Sequence, residues 1–215
     1  VADPAPPRNV WMATGPAGSS NEMLGKKYAA YFAARGITLN LLPTEGSVEN
    51  GHRLQDPQDK VMAGFVMAGA VAPHAKGIQT LGSINYQPLW CFYKSSQPLG
   101  MLQREYLILD SRVNIGTPNS GTHLLTEKFL ELNGFDGDRS QFKQYPDVQA
   151  IEMLRAGKLD SMCIVDTYES PNVQNLLKIP DFQLSEFERA EAYARLVPAI
   201  ERVSIPEGAL NLITN

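Results

Sequence analysis

One unit occurs twice in this chain and constrains it more than anything else: a short apolar run, a turn rich in glycine and hydroxyls, then a helical pattern. Val10, Trp11, Met12, Ala13 and Thr14 lead into Gly15, Pro16, Ala17, Gly18, Ser19 and Ser20, after which Leu24, Tyr28, Tyr31 and Phe32 recur on one helical face. Ser19 with Glu22 three residues later forms a capping box, and Gly36 stands where a left-handed terminator belongs. Residues 113–122 repeat the unit, followed by a helix carrying Leu125, Phe129 and Leu132 and closed by Gly134. Such openings feed crossover connections and parallel sheets, so two of them predict two lobes.

The segments between extend the pattern. Residues 38–42 read as a second strand, 47–54 as a short helix capped by Ser47, and 63–67 as a third strand. An apolar run at 88–93 and mixed helical signals at 98–107 follow. In the second half, 142–145 and 159–165 read as strands. A helix over 147–155 has Val148, Ile151 and Leu154 on one side and ends at Gly157. A last helix over 185–197 has Phe187, Ala190, Ala194 and Val197 on one face and a Ser185/Glu188 capping box. The expected organisation is α/β: a Pro-rich extended tether at 1–9, a first lobe at 10–95, a second at 96–200, and a returning segment at 201–215. A ligand cleft is expected between the lobes, because open parallel sheets bind ligands beyond the carboxyl ends of their strands.

Composition removes several functions. The 215 residues carry a formal charge of -4 with Lys and Arg dispersed, so no electrostatic footprint for nucleic acid exists. No stretch approaches the roughly 20 apolar residues of a membrane span, and the first seven residues have neither a basic nor an apolar leader region, so any signal or anchor is expected outside this chain. Cys91 and Cys163 lie in apolar runs and could join only if those two strands meet, which leaves the redox compartment open.

Catalytic signatures are missing. Gly25, Lys26 and Lys27 do not make a P-loop, no G-x-G-x-x-G follows the first strand, and residues 46–50 do not fit G-x-S-x-G. His52, His74 and His123 share no ligand spacing with each other or with Cys. Asp166 and His123 are the candidates for a base, and both read better as cleft lining or caps. The expectation is a protein that is no enzyme and needs neither metal nor cofactor. Binding remains: the turns at 14–20, 44–47 and 117–122 offer backbone N–H groups, hydroxyls and helix N-termini without a cationic side chain, which suits a small carboxylate. Each alone is an ordinary helix cap; three in equivalent positions of two lobes make a site.

The segments at 14–20, 43–50 (P-T-E-G-S-V-E-N), 65–68 and 115–122 (with G-x-P-x-S-G-T) resemble the solute receptors of tripartite ATP-independent periplasmic (TRAP) transporters, specifically the TAXI type. The resemblance spans most of the chain and implies a two-lobed type 2 periplasmic binding fold. It also implies a small acidic solute, amino-acid or dicarboxylate-like, held between the lobes and passed to TRAP membrane subunits. It places ligand contacts at Gly15, Ser19, Ser20, Thr44, Ser47, Met67, Ala68, Thr117, Ser120, Gly121 and Thr122. Asp166 and Tyr168 would face the cleft, with Tyr168 or Trp90 as an aromatic wall. The implied setting is periplasmic or otherwise extracytoplasmic, and the implied state a monomer. An extracytoplasmic sensing domain of a membrane-bound signalling protein is the alternative.

Overall fold

The structure is a computed structural model that describes residues 7–94, 112–206 and 208–210. Most of the expected tether, the helical signals at 98–107 and the end of the returning segment lie outside the described residues.

The first sheet is wholly parallel, in the order β2-β1-β3, from β1 (Asn9–Ala13), β2 (Thr38–Leu42) and β3 (Val61–Gly64). Helices α1 (Ser20–Ala33) and α2 (Ser47–Gln55) make its crossovers. Ser19 caps α1 as expected: its Oγ accepts from Glu22 N at 3.2 Å. Helix α1 lies close on the sheet because Gly25 has no side chain. A Cβ there would stand 2.7 Å from Thr14 Cγ2, so even alanine would push the helix off the strand.

The second sheet has five strands in the order β6-β5-β7-β4-β8. β5 (Val113–Asn114) is parallel to β6 (Phe142–Lys143) and β7 (Ser161–Val165). β4 (Leu89–Lys94) runs antiparallel between β7 and β8 (Phe182–Leu184). The boundary differs from the expected one: β4 lies within the expected first lobe, 10–95, and pairs in the second sheet. The reason is its two-faced burial. Trp90 and Phe92 pack with Ile151, Leu154, Met162 and Ile164, while Cys91 packs on the opposite face with Val113, Ile115, Phe129 and Leu130. A strand apolar on both sides belongs in a sheet covered on both sides.

Antiparallel register sets Cys91 opposite Cys163, and the two form a disulfide with Cα atoms 4.1 Å apart across a sequence separation of 72. The covering helices are α3 (Gly121–Leu132), α4 (Asp147–Arg155), α5 (Pro171–Leu176) and α6 (Ala190–Leu196). Three local expectations change. Ser47 makes no cap bond; Gly46 is the cap position, and Ser47 Oγ accepts instead from Met67 N at 3.0 Å. Val148 faces outward while Ala150, Ile151 and Leu154 are buried. The last helix begins at Ala190, because Ser185 N donates to Cys91 O and continues the β8 edge.

Candidate functional site

Four turns stand at the carboxyl ends of parallel strands: β1 to α1, β2 to α2, β5 to α3, and β6 to α4. They face one another across the lobes, and among the described residues two hydrogen-bonded contacts between the lobes lie beside them.

The first contact is a clasp. Ala17 O accepts from Asn172 Nδ2 at 2.9 Å, and Gly18 O accepts from Asn172 N at 3.2 Å and Ser170 Oγ at 3.1 Å. Gly18 has φ 74°, and a Cβ there would stand 2.5 Å from Asn172 Oδ1, so glycine is required on both counts. Asp166 completes the clasp. Its carboxylate accepts from Ser20 N at 3.2 Å, from Ser20 Oγ, and from Thr167 N at 2.8 Å. The N-terminus of α1, expected to meet a ligand's carboxylate, is thus met by the chain's own. Burial pushes the Asp166 carboxyl up, against the lowering effect of hydrogen bonds from Ser20, Ser170 and Thr167.

The second contact is backbone on backbone. Asn119 O accepts from Val48 N at 3.1 Å and Glu49 N at 3.2 Å, and Gly46 lies against the Ser120 backbone.

A cavity of about 370 Å³ is bounded by Pro16, Ala17, Pro43, Thr44, Glu45 and Glu49 from the first lobe and Thr117, Ser120, Pro146 and Asp147 from the second. Its walls are held from behind. Thr44 Oγ1 donates to Asn50 Oδ1 at 2.6 Å, while the fully buried Asn50 donates through Nδ2 to Thr14 O and Phe65 O, which ties three first-lobe segments together. Ser120 caps α3, accepting from His123 N at 3.0 Å and donating to Thr117 O at 2.7 Å. Asn114 brackets Tyr145, accepting from its N–H at 2.8 Å and donating to its carbonyl at 3.3 Å, and so fixes the turn that presents Pro146 and Asp147.

Asp147 is 9% exposed and, among the described residues, accepts no hydrogen bond. Burial first, and the Asp166 charge second, push its carboxyl up to about 7.

The structure separates the residues expected to bind. Thr44, Thr117 and Ser120 line the cavity. Gly15 stands in the turn behind it, its carbonyl accepting from Thr44 N. Ser19, Ser20 and Asp166 serve α1 and the clasp, and Ser47 holds Met67 N. Thr122 Oγ1 accepts from Val165 N at 2.9 Å, and Gly121 packs near Met67. Met67, Ala68, Trp90 and Tyr168 line a different and larger space, a basin of about 2840 Å³. There Trp90 donates to Asp166 O and its ring lies 6.4 Å from that of Tyr168. The hydroxyls of Ser20, Thr44, Ser47, Ser120 and Thr122 all have protein partners.

Sequence reasoning missed Glu45, Glu49, Asp147 and the three prolines. The signal was available: Tyr145, Pro146 and Asp147 form a fourth strand-to-helix turn at the same end as the other three, without the glycine and hydroxyls that drew notice to those.

No family model matches the chain, and no curated protein matches it. Solved structures do. A substrate-binding protein of an ABC uptake transporter from Streptococcus pneumoniae, with bound histidine, is similar over 84% of this chain and 75% of its own, at 12% identity and TM-score 0.58. The regulatory domain of CcmR from Synechocystis, in complex with 2-PG, is similar over 84% and 81% at 13% identity and TM-score 0.53. The effector-binding domain of QuiR, in complex with shikimate, is similar over 84% and 79% at 8% identity and TM-score 0.52.

The fold is that of type 2 periplasmic-binding-protein-like domains. Identities this low show the fold alone.

Proposed function

We propose that the chain is an extracytoplasmic receptor without catalysis that captures a small carboxylate-bearing solute, of amino-acid or dicarboxylate type, for a TRAP-type secondary transporter. The observation that carries this reading is the cavity between the lobes, built from all four strand-end turns. In a type 2 fold this is where a small solute is enclosed. The N-terminus of α3, at Thr117 and Ser120, offers its dipole end to a carboxylate. Bound histidine and shikimate in two similar structures support a solute of this size. The Cys91–Cys163 disulfide supports an oxidising compartment. The resemblance of residues 43–50 and 115–122 to TAXI receptors supports the TRAP membrane subunits as partner, with the receptor acting as a monomer.

A second reading, an extracytoplasmic sensing domain, draws support from the likeness to the CcmR and QuiR domains. It shares the cavity and differs in partner.

The experiment is a thermal-shift screen over amino acids, amines, dicarboxylates and 2-oxoacids. A solute that binds only the folded state raises its melting temperature. Stabilisation by one class is expected; none from any class overturns the receptor reading. Transport reconstituted with TRAP membrane subunits then separates transport from sensing.

A further inference from the structure

Resting on that receptor reading, and deciding between the solute types it admits, we propose that the solute held between the lobes carries a protonated amine and that the Asp147 carboxylate is its counter-ion. Three carboxylates, Glu45, Glu49 and Asp147, border the cavity, and among the described residues no Lys, Arg or His does. Their situations differ. Glu49 is satisfied: Oε1 accepts from Arg53 Nε at 2.8 Å and Oε2 from Glu45 N at 2.7 Å. Glu45 is exposed to solvent. Asp147 is nine-tenths buried, borders the cavity, and accepts no hydrogen bond from any described residue. A carboxylate with so little access to water and no protein donor is costly, and the cavity is the space from which a donor can reach it.

The hydroxyls alongside point the same way. Asn50 spends Nδ2 on two backbone carbonyls, so its Oδ1 must accept, and the proton of that bond comes from Thr44. Ser120 Oγ has only a carbonyl, Thr117 O, to donate to, and it does so. Both hydroxyls therefore have their protons committed and turn acceptor lone pairs to anything else. Acceptors and an unpaired carboxylate ask for a donor-rich cation. Among the described residues no group of three His, Cys, Asp or Glu side chains could hold a metal ion, whereas an ammonium needs one carboxylate and a few acceptors. The walls of Pro16, Ala17, Pro43 and Pro146 suit the compact aliphatic body of such a solute. An amino acid satisfies both Asp147 and the N-terminus of α3. A dicarboxylate brings further negative charge beside three carboxylates and no N–H donor for the Asp147 carboxylate.

The test is calorimetric titration and thermal shift of the whole chain with L-alanine, L-glutamate, 4-aminobutanoate and 1,4-diaminobutane against succinate, adipate and calcium chloride. Asp147→Asn is run in parallel, with its own melting temperature and circular dichroism as the control for folding. Expected is binding of at least one amine-bearing probe, no binding of succinate or adipate, and weakening by about 10-fold or more in Asp147→Asn. Binding of a dicarboxylate in place of the amines, or amine binding unchanged in folded Asp147→Asn, overturns the amine assignment and leaves the receptor reading standing. Calcium binding that depends on Asp147 overturns it in favour of a metal ion. No binding of any probe, together with silence in the wider screen, overturns both.

Discussion

Asp166 and Asp147 are two carboxylates at the strand ends of one lobe, both buried and both facing the other lobe, and they differ in nearly everything else. Asp166 receives the Ser20 N–H and hydroxyl and the Thr167 N–H; Asp147 receives nothing from the described residues. The first occupies the helix N-terminus that a ligand would otherwise use and joins the lobes. The second borders the cavity between the lobes and has no donor among the described residues. Here the saturated carboxylate serves closure, and the one without a donor is at the cavity wall.

The largest way to disturb this contrast is from beneath. The disulfide holds β7 three residues before Asp166, and closing a 72-residue separation constrains the unfolded chain. Reduction, or Cys91→Ser with Cys163→Ser, should cost about 4 kcal/mol in the chain-entropy account, read by urea denaturation with and without reductant. Asp166→Ala should follow at about 3 kcal/mol, because it strands the Ser20 donors at the lobe contact.

Asp147→Asn should move stability the other way. With its folded pKa raised from 3.8 to about 7, the folded protein holds a proton that the unfolded chain has released between those values. Asp147 therefore contributes stability that is full below about pH 4 and lost as pH rises through about 7. Asp166, also raised, has the same sign. Asp147→Asn should equal wild type near pH 4, exceed it at pH 8, and flatten the slope between. A mutant with an unchanged slope would remove Asp147 from the account.

Smallest is Ser120→Ala, which removes the α3 cap at a cost of about 1 kcal/mol. Combined with Thr122→Ala, which loses the bond from Val165 N, it lowers stability as well as any binding, so binding in that pair must be read against its own melting temperature.

What the sequence made legible was local. Ser19 and Ser120 cap the helices that follow them, and Gly36, Gly134 and Gly157 take left-handed conformations with φ of 72°, 67° and 68°, because such features depend on neighbours within a few residues. What it hid was non-local. The apolar run of β4 fits a buried strand in either lobe, and only pairing with β7 decides which. Ser47 looks like a cap until Met67, 20 residues on, claims its hydroxyl. Asp147 reads as an ordinary acidic residue opening a helix, and only the assembled lobes show that it borders a cavity between them. Asp166 was expected to face a ligand and meets Ser20, 146 residues earlier in the chain.

The most direct test of the central claim, that a small solute is enclosed by the four turns between the lobes, is amide hydrogen exchange by mass spectrometry with and without pooled amino acids, amines, dicarboxylates and 2-oxoacids. The account predicts that the effective pool slows exchange at residues 16–20, 44–49, 117–122 and 146–150. Protection confined to 65–68, 89–92 and 124–129 around the larger basin, or no protection from any pool, would contradict it.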